Sequence, residues 1–482
     1  MRRFFARNLL FVLTVNLLVK PAWIFLIDRT VQNKVGHSSY GIYQALVNLG
    51  IVFQILLDFG INNFNSTSLA EDPKQINKLF PAMLSARVVL SGLYFIAVTI
   101  IALLLGYRGW QIFLLLGILL VQSTNSVLQF IRSNVNGLHH FKTDGVLSVI
   151  DRFLMIVICG VLFLLPATKD NFKIEWFVAA QIVAYTIAIL IGFILLRRFT
   201  KVNIRFSFHG ARVYSIISQS LPYALLIFLM SIYTRVDMML VERLCGENGS
   251  EQAGIYAASY RLLDVGNMFG LMFASMLLPV FKRMLSKGSD VMPIVQLSLN
   301  VLLPVSLLVS VVGVFFGDEI MHTLYKHTTE TDVKVFTWLM LAFPAFSISN
   351  VYSTLLTSNG NLKLLNTIAF VGVLLNLGLN FWLIPQQLSL GAATTAFITQ
   401  TILALLFLYF AHQQTKLPFN IKRTFAFGFY LVIIVGLGFF MKGLNLALFT
   451  RLICLFGGGV LLILAFRFLS IKALLQLMQK EE

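Results

Sequence analysis

Charge is scarce in this chain. Only 12% of its 482 residues are Asp, Glu, Lys or Arg, whereas soluble domains carry about 25%. That shortage excludes an ordinary soluble globular protein. Acidic residues are the rarer sign, 20 against 37 basic ones. The resulting charge of +17 invites a nucleic-acid reading, but the basic residues are scattered through alternate short loops. No basic domain with interleaved aromatics exists to hold a polyanion strand, so nucleic acid is excluded as a partner. Cysteine is equally sparse. Cys159, Cys245 and Cys454 form no CxxC pair, and two of them sit in apolar segments, which argues against a disulfide framework. The seven histidines show no ligand spacing, and His139-His140 and His322…His327 fall in loops. Strict period-2 alternation is missing too, and with it the signature of a membrane barrel.

Apolar side chains are abundant, at 58% of the chain, and they run its whole length. A span needs about 20 mainly apolar residues. Fourteen such stretches are readable, near 8–27, 41–63, 82–105, 109–131, 145–166, 176–196, 216–240, 253–279, 293–316, 333–357, 364–385, 390–411, 424–441 and 449–468. The fold class predicted is an all-α polytopic membrane protein. The opening, MRRFFARNLLFVLTVNLLVK, mimics a signal peptide, yet Lys20 and Pro21 follow with no small-x-small cleavage site, so it reads as a retained first span.

Lys and Arg counts set the orientation. Loops on one side hold 22 and those on the other 9 or 10, which by the positive-inside rule places both termini in the cytoplasm. The basic connector 197–215, with Arg197, Arg198, Lys201, Arg205 and Arg212, falls after span 6 and reads as a hinge between two six-span lobes. An internal echo supports two lobes. Gly41-Ile42-Tyr43-Gln44-Ala45 opens span 2, and Gly254-Ile255-Tyr256-Ala257-Ala258 opens span 8; Asn136-Gly137 and Asn359-Gly360 precede spans 5 and 11. Parallel repeats of this kind are a transporter plan. The division expected is 1–210, 211–415 and a C-terminal helix pair in 416–482.

Charges inside spans are costly and mark candidate sites. The region 233–264 concentrates them, with Arg235 and Asp237 before a short polar turn and Arg261 and Asp264 after it. Arg261 and Asp264, three apart, share a helix face, whereas Arg235 and Asp237 do not. Lys20 lies well inside span 1, beside Pro21, which removes a backbone donor and favours a bend. Arg87, Asp58, Asp151 and Arg152 lie within two turns of the cytoplasmic side, where snorkelling accounts for the basic ones. Basic side chains around a common cavity suit a diphosphate headgroup, because an arginine fork grips two phosphate oxygens. The substrate-binding candidates are therefore Lys20, Arg235, Arg261, Asp264 and Arg87. In span 11, Asn376 and Asn380 share a face, and span 12 opens with Thr394, Thr395 and Thr399. With Asp237 these oxygens suit a hard cation, although ordinary interhelical hydrogen bonding uses the same residues.

Several of these residues resemble a known family. Tyr40-Gly41-Ile42-Tyr43 with Asp58-Phe59-Gly60-Ile61, Arg235-Val236-Asp237, Gly254-Ile255-Tyr256-Ala257-Ala258, Tyr260-Arg261-Leu262 and the Asn376…Asn380…Ile384-Pro385…Gly391-Ala392-Ala393 run are similar to Wzx-type polysaccharide or O-antigen flippases. These belong to the multidrug/oligosaccharidyl-lipid/polysaccharide (MOP) exporter superfamily, with the lipid II flippases and the MATE exporters. The resemblance implies two six-helix lobes in a V, a cationic cavity, and alternating access that turns over an undecaprenyl-diphosphate-linked oligosaccharide at a bacterial inner membrane. It implies that spans 13 and 14 form a groove for the lipid tail. Lys20 and Arg261 match basic cavity residues. Asp237, Asn376, Asn380 and Thr395 match the sodium site of lipid II flippases, which bears a carboxylate where this chain has Asn380. Na+ and H+ both stay open as coupling ion, and no other cofactor is expected. The partners implied are the lipid-linked oligosaccharide, membrane lipids and glycan polymerase or ligase machinery. A MATE-like drug or metabolite exporter is the alternative transporter. A membrane glycan polymerase or ligase is the alternative enzyme, but the short outer loops carry no nucleophile, base and orienter cluster, and the chain is expected not to be an enzyme.

Overall fold

The computed structural model describes residues 15–16, 18–169, 171–200, 210–418 and 420–468. The start of span 1, Lys201 and Arg205 of the basic connector, and Lys472 and Lys480 lie outside the described residues. All regular structure among the described residues is helical. Twelve segments there are long and apolar enough to cross a membrane, and they coincide with spans 3 to 14. The chain is an all-α polytopic membrane protein.

Packing divides it into two compact units, Met1–Gly254 and Ile255–Glu482. In the first, a helix runs from residue 18 through Pro21, widens to a π-helical segment at Trp23–Asp28, and continues into α1, Arg29–Val52, which is broken by a kink at Gly36 (φ 79°, ψ 169°) between spans 1 and 2. There follow α2, Ile61–Glu71; α3, Ile76–Leu104; α4, Trp110–Gly137; α5, Phe141–Leu147; α6, Ile150–Leu164; α7, Ile174–Phe199; and α8, Gly210–Leu244. Next comes α9, Gly249–Ser286, which crosses the boundary. The second unit continues with α10, Met292–Leu324; α11, Glu330–Ser358; α12, Leu362–Gln387; α13, Ser389–Thr415; α14, Ile421–Gly443; and α15, Leu448–Ala465.

Two spans differ from the continuous helices expected. Span 2 stops at Val52, passes through a 3-10 turn at Gln54–Leu57, and resumes at Ile61 after left-handed Phe59 and Gly60. Span 5 is interrupted at Ser148 and Val149. A break leaves backbone groups without helical partners, and inside a bilayer these need protein donors and acceptors. Arg87 supplies the donors at the span 2 break, as described below.

The glycines of the GIY echo meet in the first unit. A Cβ on Gly41 would lie 1.9 Å from the Ser250 carbonyl oxygen, and one on Gly254 would lie 2.1 Å from that of His37. Only hydrogen fits at either position. The Gln32 amide also donates to the Gly254 carbonyl at 3.0 Å. The far end of α8 is fastened by Glu242, which accepts from the Tyr107 hydroxyl at 2.8 Å, while the Arg243 guanidinium sits 3.4 Å from the Tyr107 ring centre. Apolar packing centres on Leu79, Phe80, Met83, Phe130, Ile131 and Leu147.

In the second unit, α11 starts on a capping box between Thr329 and the buried Asp332, which satisfies orphan amides at the helix start. The pair α14 and α15 packs on α10 through Leu308, Val311, Phe316, Tyr430, Ile434 and Leu455. Gly438 and Gly459 admit Phe315 and Leu308. Arg451 pins the start of α15 to Glu319 at 2.5 Å.

Candidate functional site

The first unit carries a row of cations on its broken and widened helices. Lys20 is half-buried and lies within electrostatic range of Arg152 and Arg132, both cationic, and of Asp151. Arg152 packs over the Trp23 ring at 5.6 Å and reaches Asp151 at 3.6 Å. Arg132 is paired with Asp144 at 2.8 Å and also bonds Gln129 at 3.0 Å. The Asn16 amide donates to Ser148 Oγ at 2.8 Å, tying the first span to the interruption of span 5. Lys20, Arg132 and Arg152 thus lie in one neighbourhood with Asp144 and Asp151. Sequence reasoning singled out Lys20, assigned Arg152 to snorkelling and counted Arg132 with the loops. What joins them is the packing of the first span against α4, α5 and α6, which linear spacing does not display.

A second polar row was also missed. Asp28, 3% exposed, closes the π-helical segment and accepts from the Tyr40 hydroxyl at 2.7 Å. Gln44 donates to that hydroxyl at 2.8 Å, and Asn48 donates to the Gln44 carbonyl at 2.8 Å and to Met238 Sδ at 3.2 Å. Tyr40, Gln44 and Asn48 are four apart, so their shared helix face was available from spacing. Asp28 fell one residue outside the span as drawn. Along α8, Arg235 is half-buried and Asp237 is 2% exposed.

Arg87 sits apart from the cationic row. It is 2% exposed, not snorkelling as expected. Its guanidinium pairs with Asp58 at 2.7 Å, bonds Asn62 at 2.6 Å, and donates to the Ser126 carbonyl at 3.0 Å, the Ser126 hydroxyl and the Leu57 carbonyl. The Phe130 ring lies 5.0 Å away. These partners belong to the break in span 2 and to α4, so Arg87 braces the break.

In the second unit, Arg261 and Asp264 lie 3.7 Å apart on one face of α9, each partly accessible. Asn376 and Asn380 are fully buried on α12, and the Asn380 amide donates to Asn376 Oδ1 at 3.1 Å. Thr395 and Thr399 are fully buried on the adjoining α13, and their hydroxyls have no hydrogen-bond partner among the described residues. These are neutral oxygens, suited to a hard monovalent cation more than to a transition metal. Among the described residues no group of three or more His, Cys, Asp or Glu could hold a metal ion.

The fold is that of known transporters. The lipid II flippase MurJ, in an inward closed conformation, superposes with a TM-score of 0.60 at 15% identity, over 89% of this chain and 96% of that one. A multidrug resistance MATE transporter of the MOP superfamily, inward-facing, gives 0.60 at 14% identity over 83% and 98%. The Vibrio cholerae MATE transporter VcmN, in a point-mutant form, gives 0.59 at 14% identity over 86% and 97%. These similar structures are named as a flippase and as transporters. The likeness is one of fold: the chain shares the all-α, many-span architecture of these proteins.

Sequence profiles narrow this. The profile described as polysaccharide biosynthesis protein matches residues 5–285, more than half of the chain, and the chain belongs to that family. The MatE profile matches residues 222–382. A search of curated proteins gives no match.

Proposed function

We propose that this protein is a flippase that carries an undecaprenyl-diphosphate-linked oligosaccharide across the bacterial inner membrane by alternating access. The observation that carries this reading is the cationic group of Lys20, Arg132 and Arg152 in a chain whose residues 5–285 match the polysaccharide biosynthesis profile. A diphosphate brings concentrated negative charge, and guanidinium and ammonium groups can hold it without covalent chemistry. In this reading Lys20, Arg152, Arg235 and Arg261 bind the diphosphate. Asp264 holds Arg261 in orientation from 3.7 Å away, and Arg87 serves by bracing span 2. The prenyl tail stays in lipid, along α14 and α15. The coupling ion is Na+ or H+. A sodium ion would take oxygens from Asn376, Asn380, Thr395 and Asp237 and would contribute charge alone.

A second reading has its own support. The MatE profile covers 222–382, and MATE exporters outnumber flippases among the similar structures. A MATE-like exporter would move a soluble drug or metabolite with the same rocking motion.

Two measurements separate them. Depletion of the protein should trap a lipid-linked oligosaccharide on the cytoplasmic leaflet and leave drug susceptibility unchanged. Increased drug susceptibility with normal surface glycan would favour the exporter. Within the flippase reading, Arg261→Ala should abolish surface-glycan export while the protein still accumulates in the membrane. Normal export by that variant would remove Arg261 from the binding set.

A further inference from the structure

The second unit holds a cleft lined by none of the residues assigned above to the substrate or the coupling ion. It lies where α10, α11, α13 and α14 converge and has a volume of about 200 Å³. Leu299, Leu303, Leu408 and Phe427 give it apolar walls; Arg423 and His412 give it a polar rim; and no lining residue is acidic. A neighbouring hollow of about 310 Å³ shares Met292, Gln296 and Asn420 with it and adds Lys422. The Lys and Arg count places this end of α14 at the cytoplasmic side.

The rim is built. Arg423 Nε donates to Asn300 Oδ1 at 3.1 Å, and Nη2 faces the Arg467 carbonyl at 3.5 Å. The Phe468 ring, 5.2 Å away, backs the guanidinium. Asn300 is itself buried. No acidic side chain among the described residues pairs with Arg423, so the partners that orient it there are neutral. His412 is fixed as well. Its Nδ1 lies 2.9 Å from the Leu417 carbonyl, which can only accept, so Nδ1 is the donor there, and Nε2 lies 3.3 Å from the Tyr352 hydroxyl.

A guanidinium held by neutral partners at the edge of a bilayer calls for an anion. Basic pockets between transmembrane helices on the cytoplasmic side are sites for anionic headgroups. The walls below the rim call for hydrocarbon. We propose that this cleft seats an anionic phospholipid of the cytoplasmic leaflet, its phosphate on Arg423 and Lys422 and one acyl chain along Leu299, Leu303, Leu408 and Phe427. The lipid then acts as a wedge between α14 and the body of the second unit, independent of the transported substrate.

Native mass spectrometry of the full-length protein tests this, after equilibration with equal concentrations of phosphatidylglycerol and phosphatidylcholine. Wild type should retain one phosphatidylglycerol in preference to phosphatidylcholine. Arg423→Ala should weaken that retention about tenfold, the loss of one charge-assisted contact. Leu303→Trp should also abolish it by filling the cleft with the rim charge intact. Should Arg423→Ala fail to fold, Lys422→Ala and Leu303→Trp still decide. Equal retention of the two lipids, or unchanged phosphatidylglycerol retention in the folded variants, overturns the proposal. So does displacement of the lipid by millimolar inorganic phosphate, which would make this a free-anion site.

Discussion

Removing the Arg87 guanidinium would strip Asp58, Asn62 and the Leu57 and Ser126 carbonyls of one shared donor group. Deleting one partner of a fully buried pair costs about 3–5 kcal/mol; here Asp58 is 30% exposed, so water screens the carboxylate left behind and the loss falls below that range. Arg87→Ala is therefore expected to lower the thermal unfolding midpoint of the purified protein far more than Arg→Ala at a lipid-headgroup position. Arg87→Lys should fall between, since an ammonium cannot span Asp58 and Ser126 as a planar fork does. A wild-type midpoint in Arg87→Ala would show that the break in span 2 is held by something else. The contrast with Lys20 is instructive. Both are cations in apolar helices, but one is engaged by a carboxylate at 2.7 Å and the other is grouped with further cations.

Helices in this protein approach as closely as their smallest residues permit. Gly41 and Gly254 let α1 and the start of α9 touch backbone to backbone, with no room for a methyl group. Gly41→Ala and Gly254→Ala should each force the helices apart, at about 1–3 kcal/mol or more, measured as loss of thermal stability in detergent. Gly92→Ala is the control. Nothing lies within 4 Å of a Cβ there, in the middle of α3, and that change should be neutral or stabilising by up to about 1 kcal/mol. Equal effects at all three positions would mean that the close crossing is not what the glycines serve. The echo itself was legible as Gly-Ile-Tyr-x-Ala repeated after six spans. That its two glycines pack near each other was not, because a repeat in sequence carries no distance.

At the scale of the whole molecule, the pair α14 and α15 tests how much of the chain is needed for insertion and how much for transport. The α10 face it covers, Leu308, Val311, Val312 and Phe316, is apolar. Lipid tails are as apolar as the side chains that would be lost, so uncovering this face carries little hydrophobic penalty in a bilayer. A chain ending at Thr415 is expected to accumulate in the membrane and to fail in surface-glycan export, if the prenyl tail runs along the pair. Normal export by the truncated chain would assign the pair to something other than the carrier lipid.

Composition and hydropathy by themselves determined that this is an all-helical membrane protein, and they located twelve of its spans to within about eight residues at either end. They could do so because a bilayer demands about 20 apolar residues wherever a helix crosses it. The positions of candidate charges were equally visible, since an ionisable group stands out in an apolar run. The tertiary structure alone decided what each charge meets. The interruption of span 2, the burial of Arg87 within it, the grouping of Lys20 with Arg132 and Arg152, and the cleft beside Arg423 all arise from helices distant in sequence. A helix face records which residues lie together on one helix; which neighbour that face meets is set by packing.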